Sequence, residues 1–257
     1  MAAATSSSTT SSQAEALLAD PTGAVAQEMA ALMPYFPFKS IPRFYDIGGL
    51  LADPVKVRHA VHTAHTLTHS LFSLLSPLPP TTISHSLFLS PLAPAQFNLM
   101  CEVFATRYAS MGITHIAGFD ARGFLFTPVA LKLGLPFIML RKKGKMPNTI
   151  SSGPYTKEYA GTSEICITRG AVGPGDRVLL IDDLVATGGT LCAGIKLIQA
   201  LGATVASCGC MVELTMLGGR AKCIAAGAED VWSFLDESIL TTEAVLPAEY
   251  VDDGEAH

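Results

Sequence analysis

The stretch that decides the fold is residues 178–190, which read Val-Leu-Leu-Ile-Asp-Asp-Leu-Val-Ala-Thr-Gly-Gly-Thr. A continuous apolar run predicts a buried strand. The acidic pair, the glycine-containing turn and the helical pattern after it predict a strand–loop–helix unit. In open α/β sheets, ligands bind at the loops beyond the carboxyl ends of the strands. We therefore expect this unit to form part of a binding site.

The polar residues of this unit suit a sugar phosphate. Thr187–Thr190 provides backbone amides, two hydroxyl groups and a helix N-terminus, a combination that favours a phosphate group. Asp182 and Asp183 would repel that phosphate unless they faced nearby hydroxyl groups, and a ribose 5-phosphate supplies both parts. The acidic pair alone is also typical of a helix cap, and the Thr/Gly segment alone is typical of an ordinary turn. The two features one after the other favour a ligand site. The glycine spacing matches neither a Walker A loop nor a dinucleotide-binding loop.

Outside this unit, apolar strands and helices alternate from residue 95 to residue 235. Continuous apolar strands that alternate with helices predict a parallel sheet covered on both faces. We therefore predict one α/β core with a doubly wound, mainly parallel sheet flanked by helices. The predicted elements are a helix ended by Gly112, strands at 114–118 and 135–140, a helix at 124–133, a polar loop at 146–160, a strand at 177–181, a helix at 191–201 and a strand at 205–214.

The remaining segments differ from the core in composition. Residues 1–13 are rich in Ala, Ser and Thr and are predicted to be a disordered tail. Residues 14–75 are predicted to hold helices, the first of them interrupted near residues 21–23. The dense prolines of residues 76–94 exclude a regular helix or a central strand, so this segment is predicted to be an insertion. Residues 236–257 form a C-terminal extension.

Composition narrows the possible functions. The chain has 257 residues, 49% of them hydrophobic, so it can bury a full core. A formal net charge of −5 argues against a protein that coats nucleic acid. The mean hydropathy is +0.38, but no apolar run approaches the roughly 18–20 residues of a membrane-spanning helix.

The cysteine and histidine patterns indicate neither disulfides nor a metal site. The six cysteines include no CxxC pair, which favours buried, reduced thiols. The N-terminus lacks the basic and apolar regions of a secretory signal, and the first basic residue is Lys39, so we expect a cytoplasmic protein. Four histidines at helical spacing have no carboxylate beside them and are interpreted as surface or packed side chains: His59, His62, His65 and His69.

Residues 178–190 resemble the binding motif for phosphoribosyl pyrophosphate (PRPP) of the type I phosphoribosyltransferases. Three further segments resemble the adenine phosphoribosyltransferases within that family. Residues 117–124 are similar to the loop that binds pyrophosphate, and residues 141–145 are a basic run that ends a strand on the same rim. Residues 155–159 are similar to the mobile catalytic loop. The resemblance covers about residues 34–235.

The resemblance implies a role for each of these segments. In the family the peptide bond after the aspartate of the pyrophosphate loop is cis, which places such a bond between Asp120 and Ala121. The implied catalytic residues are Arg122, Glu158 and Tyr159. The implied PRPP contacts are Asp120, Ala121, Arg141, Lys142, Lys145, Asp182, Asp183, Ala186, Thr187, Gly188, Gly189 and Thr190.

A further resemblance concerns the purine base that the family binds. Residues 43–47 are similar to the segment that binds adenine in the family, with an aromatic side chain stacked on the purine, so residues 14–75 are expected to include a base-binding hood. Tyr45 stands where the family usually has an arginine. Residues 212–215 match the part of the family that flanks the purine. The implied adenine contacts are Arg43, Phe44, Tyr45 and Glu213.

These resemblances imply a reaction of adenine with PRPP that yields AMP and pyrophosphate. Mg²⁺ is expected to bind chiefly through PRPP and pyrophosphate, with no metal ligand from the protein. A homodimer is implied, with small-molecule substrates and no nucleic-acid or membrane partner. Two alternatives stay open. A phosphoribosyltransferase for another purine would place a donor such as lysine beside a 6-oxo group. A PRPP-sensing regulator would carry a nucleic-acid-binding appendage and a degraded catalytic loop.

Overall fold

The computed structural model describes residues 2–31, 35–38, 41–45, 92–156, 162–235 and 237–239. No helix within these ranges has the length and apolar character that a bilayer crossing requires. The helices are α1 (Ala2–Ala19), α2 (Ala24–Ala31), α3 (Leu92–Tyr108), α4 (Thr127–Leu133), α5 (Gly189–Ala200) and α6 (Gly219–Ala225), with 3₁₀ helices at Arg122–Phe126, Thr215–Leu217 and Glu237–Ile239. The strands are β1 (Tyr35–Phe38), β2 (Ile41–Tyr45), β3 (His115–Phe119), β4 (Phe137–Lys142), β5 (Thr149–Thr156), β6 (Thr162–Thr168), β7 (Arg177–Val185), β8 (Thr204–Glu213) and β9 (Val231–Leu235).

Seven of these strands form one sheet in the order β5-β6-β4-β3-β7-β8-β9. The five strands β4, β3, β7, β8 and β9 are mutually parallel, while β5 and β6 form an antiparallel hairpin at one edge. The central strand β7 pairs with β3 and β8 and is fully buried from Val178 to Ile181, which explains its continuous apolar sequence. The predicted mainly parallel sheet flanked by helices is confirmed.

Two apolar layers hold the sheet between its helices. The layer under α1–α4 is rich in aromatic side chains, and the ring centroid of Phe104 lies 4.9 Å from that of Phe126 and 5.0 Å from that of Trp232. The layer under α5 and α6 is mainly aliphatic and includes Ile195 and Ile198. Because helices cover both faces, the carboxyl ends of the strands are left to carry polar groups.

Residues 2–13 are helical, whereas composition predicted a disordered tail over residues 1–13. They belong to α1, which packs against α3 and buries Ala14 and Leu17. The Ser11 hydroxyl donates to Oε1 of Glu102 on α3 at 3.3 Å. Alanine is the best helix former, and this tertiary contact stabilises a helix that composition alone did not indicate. The predicted interruption is confirmed, because α1 ends before the turn at residues 20–23.

The segment predicted as a polar loop at residues 146–160 contains strand β5, so that prediction is wrong over residues 149–156. β5 pairs with β6, and the Ser152 hydroxyl accepts a hydrogen bond from the amide of Ile165 at 3.1 Å. The register shifts between Ser151 and Pro154, where an irregularity accommodates the proline. The Gly-Pro pair concealed the strand in the sequence. Residues 157–161, which follow β5 in the sequence, lie outside the described residues.

Several boundaries differ from the predicted ones. The helix predicted at 124–133 is a 3₁₀ helix followed by α4, and α3 begins at Leu92, inside the predicted insertion at 76–94. Pro94 fits there because the first turn of a helix needs no amide from it. Strand β9 and helix α6 were not predicted. The rest of the insertion and the four histidines of residues 59–69 lie outside the described residues.

The predicted base-binding segment forms part of a second, two-stranded sheet. β1 and β2 pair antiparallel, with Tyr35 opposite Tyr45 and Phe36 opposite Phe44. Arg43, Phe44 and Tyr45 therefore lie on one short strand. Their proposed contacts with adenine stay a prediction.

Candidate active site

The polar residues predicted for the site converge at one edge of the sheet. Asp120 directly follows β3, Arg141 lies near the end of β4, and Asp182 and Asp183 lie near the end of β7. These three strands are adjacent and parallel, so their carboxyl ends meet. β7 continues to Val185, and the acidic pair is therefore held by the sheet rather than by the loop beyond it.

Two ion pairs connect these strands across the edge. Nε of Arg141 donates to Oδ2 of Asp120 at 3.0 Å, which joins β4 to the loop after β3. Nε of Arg122 lies 2.9 Å from Oδ2 of Asp183, which joins that loop to β7. This oxygen of Asp183 is buried and lies beside the Arg122 guanidinium, which supplies the positive charge that a buried carboxylate requires. Oδ1 of Asp182 accepts a hydrogen bond from the amide of Asp183 at 3.0 Å.

The loop after β3 lies directly against β7. The peptide bond between Asp120 and Ala121 is cis, as predicted. A Cβ atom added to Gly123 would lie 2.7 Å from the carbonyl oxygen of Ile181, closer than real Cβ contacts allow. Glycine at position 123 therefore lets the loop approach β7, and this approach brings Arg122 to Asp183.

Residues 186–190 form the phosphate loop, which connects β7 to α5. Gly188 has a φ of +79°, in the left-handed region that favours glycine. Helix α5 begins at Gly189 without a side-chain cap, so its first-turn amides have no partner within the helix. Free amides and the positive end of the helix dipole together suit an anion. The loop thus retains the features that the sequence predicted.

The four cations of the basic segment at residues 141–145 differ in their partners. Nζ of Lys143 pairs with Glu164 of β6 at 2.9 Å. Lys142 and Lys145 are exposed and form no ion pair among the described residues. Arg141 donates to the carbonyl oxygen of Lys145 at 3.4 Å as well as to Asp120. Two lysines therefore stay available for a phosphorylated ligand.

Glu213 has a partner that sequence reasoning missed. Its carboxylate is 4% exposed, and Nε of Arg220 lies 2.9 Å and 3.1 Å from its two oxygens. A second guanidinium nitrogen of Arg220 also donates to Glu213, and the third donates to the carbonyl oxygen of Val231. A buried carboxylate requires such a partner. The position of Glu213 in the mainly apolar strand predicted at 205–214 was a signal for a nearby cation.

Part of the predicted catalytic set lies outside the described residues. Glu158 and Tyr159 fall between β5 and β6 in the sequence and outside the described residues, so their proposed roles stay predictions. Among the described residues, no three or more His, Cys, Asp or Glu side chains form a group that could hold a metal ion. That Mg²⁺ would be held mainly by a ligand's phosphate oxygens stays a prediction.

Burial raises the pKa of both carboxyl groups of the acidic pair. The neighbouring Asp183 raises the pKa of Asp182 further, whereas the Arg122 guanidinium opposes the rise for Asp183. The charged forms are therefore disfavoured in the free protein. A ligand that donates hydrogen bonds, as a sugar diol does, would stabilise those charged forms.

The variant Asp182→Asn is expected to raise the melting temperature while it lowers activity. Because the folded-state pKa exceeds the ordinary value of 3.8, the stability contributed by this carboxyl is fully present below about pH 4. It is lost as the pH rises through the folded-state pKa. The amide does not ionise, so the gain over the parent should be small at pH 4. We expect it to be larger at pH 8, where the unfolded parent is ionised while burial opposes ionisation in the folded parent. Scanning calorimetry at both pH values measures the gain, and a gain that shrinks from pH 4 to pH 8 would contradict the raised pKa.

Comparison with known proteins places the chain among adenine phosphoribosyltransferases. A family model described as the phosphoribosyl transferase domain matches residues 99–224. Adenine phosphoribosyltransferase 1 of Triticum aestivum is 48% identical over 132 residues, which cover 51% of this chain and 72% of that protein. The adenine phosphoribosyltransferase of Pasteurella multocida is 43% identical over 144 residues, which cover 56% of this chain and 79% of that protein.

Solved structures show the same likeness. The adenine phosphoribosyltransferase of Trypanosoma brucei, solved with AMP, pyrophosphate and ribose-5-phosphate, has a TM-score of 0.64 at 27% identity over 90% of this chain and 87% of its own. The enzyme of Leishmania donovani has a TM-score of 0.65 at 27% identity over 90% of this chain and 88% of its own. Since relatives of at least 43% identity are matched over 72% and 79% of their lengths, the chain belongs to the adenine phosphoribosyltransferase family.

Proposed function

We propose that this chain transfers the phosphoribosyl group of PRPP to N9 of adenine and releases pyrophosphate and AMP, a reaction of purine salvage. The observation that carries the proposal is the edge where β3, β4 and β7 end, at which two ion pairs join Asp120 to Arg141 and Arg122 to Asp183. Acidic groups for a diol and basic groups for phosphates lie there beside the phosphate loop. A relative solved with AMP and pyrophosphate supports the same chemistry.

PRPP would bind across this edge in three parts. The amides of Gly188 and Gly189 and the hydroxyl of Thr190 would hold the 5-phosphate, with Ala186 and Thr187 completing the loop. The 2- and 3-hydroxyls of the ribose would donate to Asp182 and Asp183. The residues that would receive the pyrophosphate are Asp120, Ala121, Arg122, Arg141, Lys142 and Lys145, of which the cations balance its negative charge.

Catalysis would depend on charge that develops in the sugar. As the bond between the anomeric carbon and pyrophosphate breaks, the ribose gains positive charge, which Asp182 and Asp183 stabilise from fixed positions. Arg122 stays beside the departing pyrophosphate. N9 of adenine attacks the opposite face of the ribose, and Glu158 accepts or relays the proton of the purine while Tyr159 helps to close the loop over the reacting centre.

The proposal extends to the base, the metal and the assembly. Arg43, Phe44 and Tyr45 on β2 would contact adenine, together with Glu213. Mg²⁺, held chiefly through PRPP and pyrophosphate oxygens, would reduce the negative charge of the leaving group. We also propose a homodimer in the cytoplasm without nucleic-acid or membrane partners. The six free cysteines, none of them in a disulfide, support a reducing compartment.

One assay tests the activity directly. The protein is incubated with PRPP, Mg²⁺ and one purine at a time, and the nucleotide products are separated by chromatography. We expect AMP from adenine and no comparable product from hypoxanthine, guanine or xanthine. Formation of a 6-oxopurine nucleotide in place of AMP would favour another purine as substrate. PRPP binding without any product would favour the PRPP-sensing regulator.

The variant Thr190→Val tests the phosphate assignment. The substitution removes a hydrogen bond to a charged group, worth roughly 1.5–3 kcal/mol, so the Kd for PRPP should rise by at least about tenfold. Isothermal calorimetry measures this Kd. Thr204→Val is a matched control, because Thr204 begins β8 at the opposite edge and donates to the carbonyl oxygen of Asp176. An unchanged Kd in the Thr190 variant would refute the assignment.

A further inference from the structure

The phosphate loop is supported from behind by the start of α6. A Cβ atom added to Gly188 would lie 2.9 Å from the carbonyl oxygen of Gly219. A Cβ atom added to Gly219 would overlap the carbonyl oxygen of Ala186 and lie 3.0 Å from the amide nitrogen of Gly188. Real Cβ atoms do not approach other atoms so closely. Two backbone segments are therefore in direct contact, with no side chain between them.

The start of α6 is in turn fixed to the sheet by Arg220. Its guanidinium contacts both oxygens of Glu213 at the end of β8 and the carbonyl oxygen of Val231 at the start of β9. Two-point contacts of this kind restrict the guanidinium in direction as well as in distance. Because Arg220 directly follows Gly219, the bonds that hold the side chain also hold the backbone that touches the phosphate loop.

We infer that Gly219 and Arg220 are positioning residues that hold the phosphate loop in the shape that binds the 5-phosphate of PRPP. The inference rests on the proposed function, because it concerns the same site. Neither residue needs to touch the ligand. The chain of contacts runs from Glu213 through Arg220 and Gly219 to Gly188. Since displacements of about 1 Å at such a site can change rates by 10²-fold, a small shift of α6 should reach the bound phosphate.

The inference gives Glu213 a second role. Both of its carboxylate oxygens are engaged by Arg220, so its influence passes to the PRPP side of the site through α6. Glu213→Gln is therefore expected to raise the Kd for ribose 5-phosphate, because glutamine cannot accept the same two charged bonds.

The first experiment compares two glycine substitutions. Gly219→Ala is expected to raise the Kd for ribose 5-phosphate by roughly 10- to 100-fold, measured by calorimetry without any turnover. Gly173→Ala is the matched control, because a Cβ atom there meets no other atom within 4 Å and Gly173 has no positive φ. The Kd of this control variant for ribose 5-phosphate should equal that of the parent. If the parent binds ribose 5-phosphate and folded Gly219→Ala binds it equally well, the inference fails while the proposed function stands.

The second experiment uses Arg220 and remains decisive if Gly219→Ala does not fold. Arg220→Lys keeps the charge but loses the two-point contact, and Arg220→Gln loses both. We expect the Kd for ribose 5-phosphate to increase from the parent to the lysine variant to the glutamine variant, with the KM for adenine within threefold at saturating PRPP. An unchanged Kd, or equal losses for both substrates, would overturn the inference. A parent that does not bind ribose 5-phosphate would refute the proposed function together with the inference.

Discussion

Replacement of Glu158 with glutamine is expected to lower kcat by about 10²–10⁴-fold, the usual contribution of a positioned acid–base group, with little change in the Kd for PRPP. The proton on the imidazole ring of adenine must leave as N9 bonds to the ribose. A carboxylate on the loop between β5 and β6 can accept that proton, or can bind N7 and shift the tautomer so that N9 is free. Glutamine keeps the size of the side chain but loses the basic oxygen.

Further variants separate proton handling from loop closure. Glu158→Asp should fall between the parent and Glu158→Gln, because its carboxylate remains but is drawn back by one methylene. If Glu158 only closes the loop, glutamine should be nearly as good as glutamate and alanine worse than both. Glu229→Gln is a matched control, since Glu229 pairs with Arg177 at the opposite edge of the sheet. Single-turnover rates decide, and a glutamine variant within threefold of the parent would rule out the proton-handling role.

Asp183→Asn is expected to lower kcat by about 10²–10³-fold, the range measured for removal of one fixed group that stabilises a transition-state charge. Asp183 is 3% exposed, and its Oδ2 lies 2.9 Å from the Arg122 guanidinium. The amide loses the negative charge that would face the positive ribose and that lies beside Arg122. We therefore expect a weaker Kd for PRPP as well as a slower chemical step.

A control for this variant lies at the other end of the same strand. Asp176 directly precedes β7 and accepts a hydrogen bond from the amide of Gly173 at 2.8 Å, far from the proposed ligand. Asp176→Asn makes the same chemical change and should leave kcat within threefold of the parent. If Asp183→Asn were equally mild in single-turnover measurements, the carboxylate of Asp183 would not stabilise the reacting sugar.

The strand–loop–helix unit could be predicted because its information is local. Val178–Ile181, the acidic pair and the phosphate loop follow one another in the chain, so their order alone places them at a strand end. The structure confirms the strand and the helix, and Gly188 in the turn between them has a positive φ. The cis bond between Asp120 and Ala121 followed from the family resemblance and not from the residues by themselves.

Elements that depend on distant partners were missed or misjudged. Residues 1–13 resemble a disordered segment in composition, but α1 packs on α3, far along the chain. β5 becomes a strand because β6 pairs with it, although Gly153 and Pro154 weaken its local signal. In each case a tertiary contact outweighs a weak local preference, as it does generally for marginal helices and edge strands.

The sequence by itself determined the type of sheet, the chemistry of the phosphate loop and the residues available at the carboxyl edge. Only the tertiary structure decided which charges meet there. Arg122 takes Asp183 as its partner, Arg220 takes Glu213, and Lys143 turns to Glu164 rather than to the site. The physical reason is that composition fixes which groups can ionise, whereas strand order and close glycine contacts fix the distances between them, on which electrostatic energy depends.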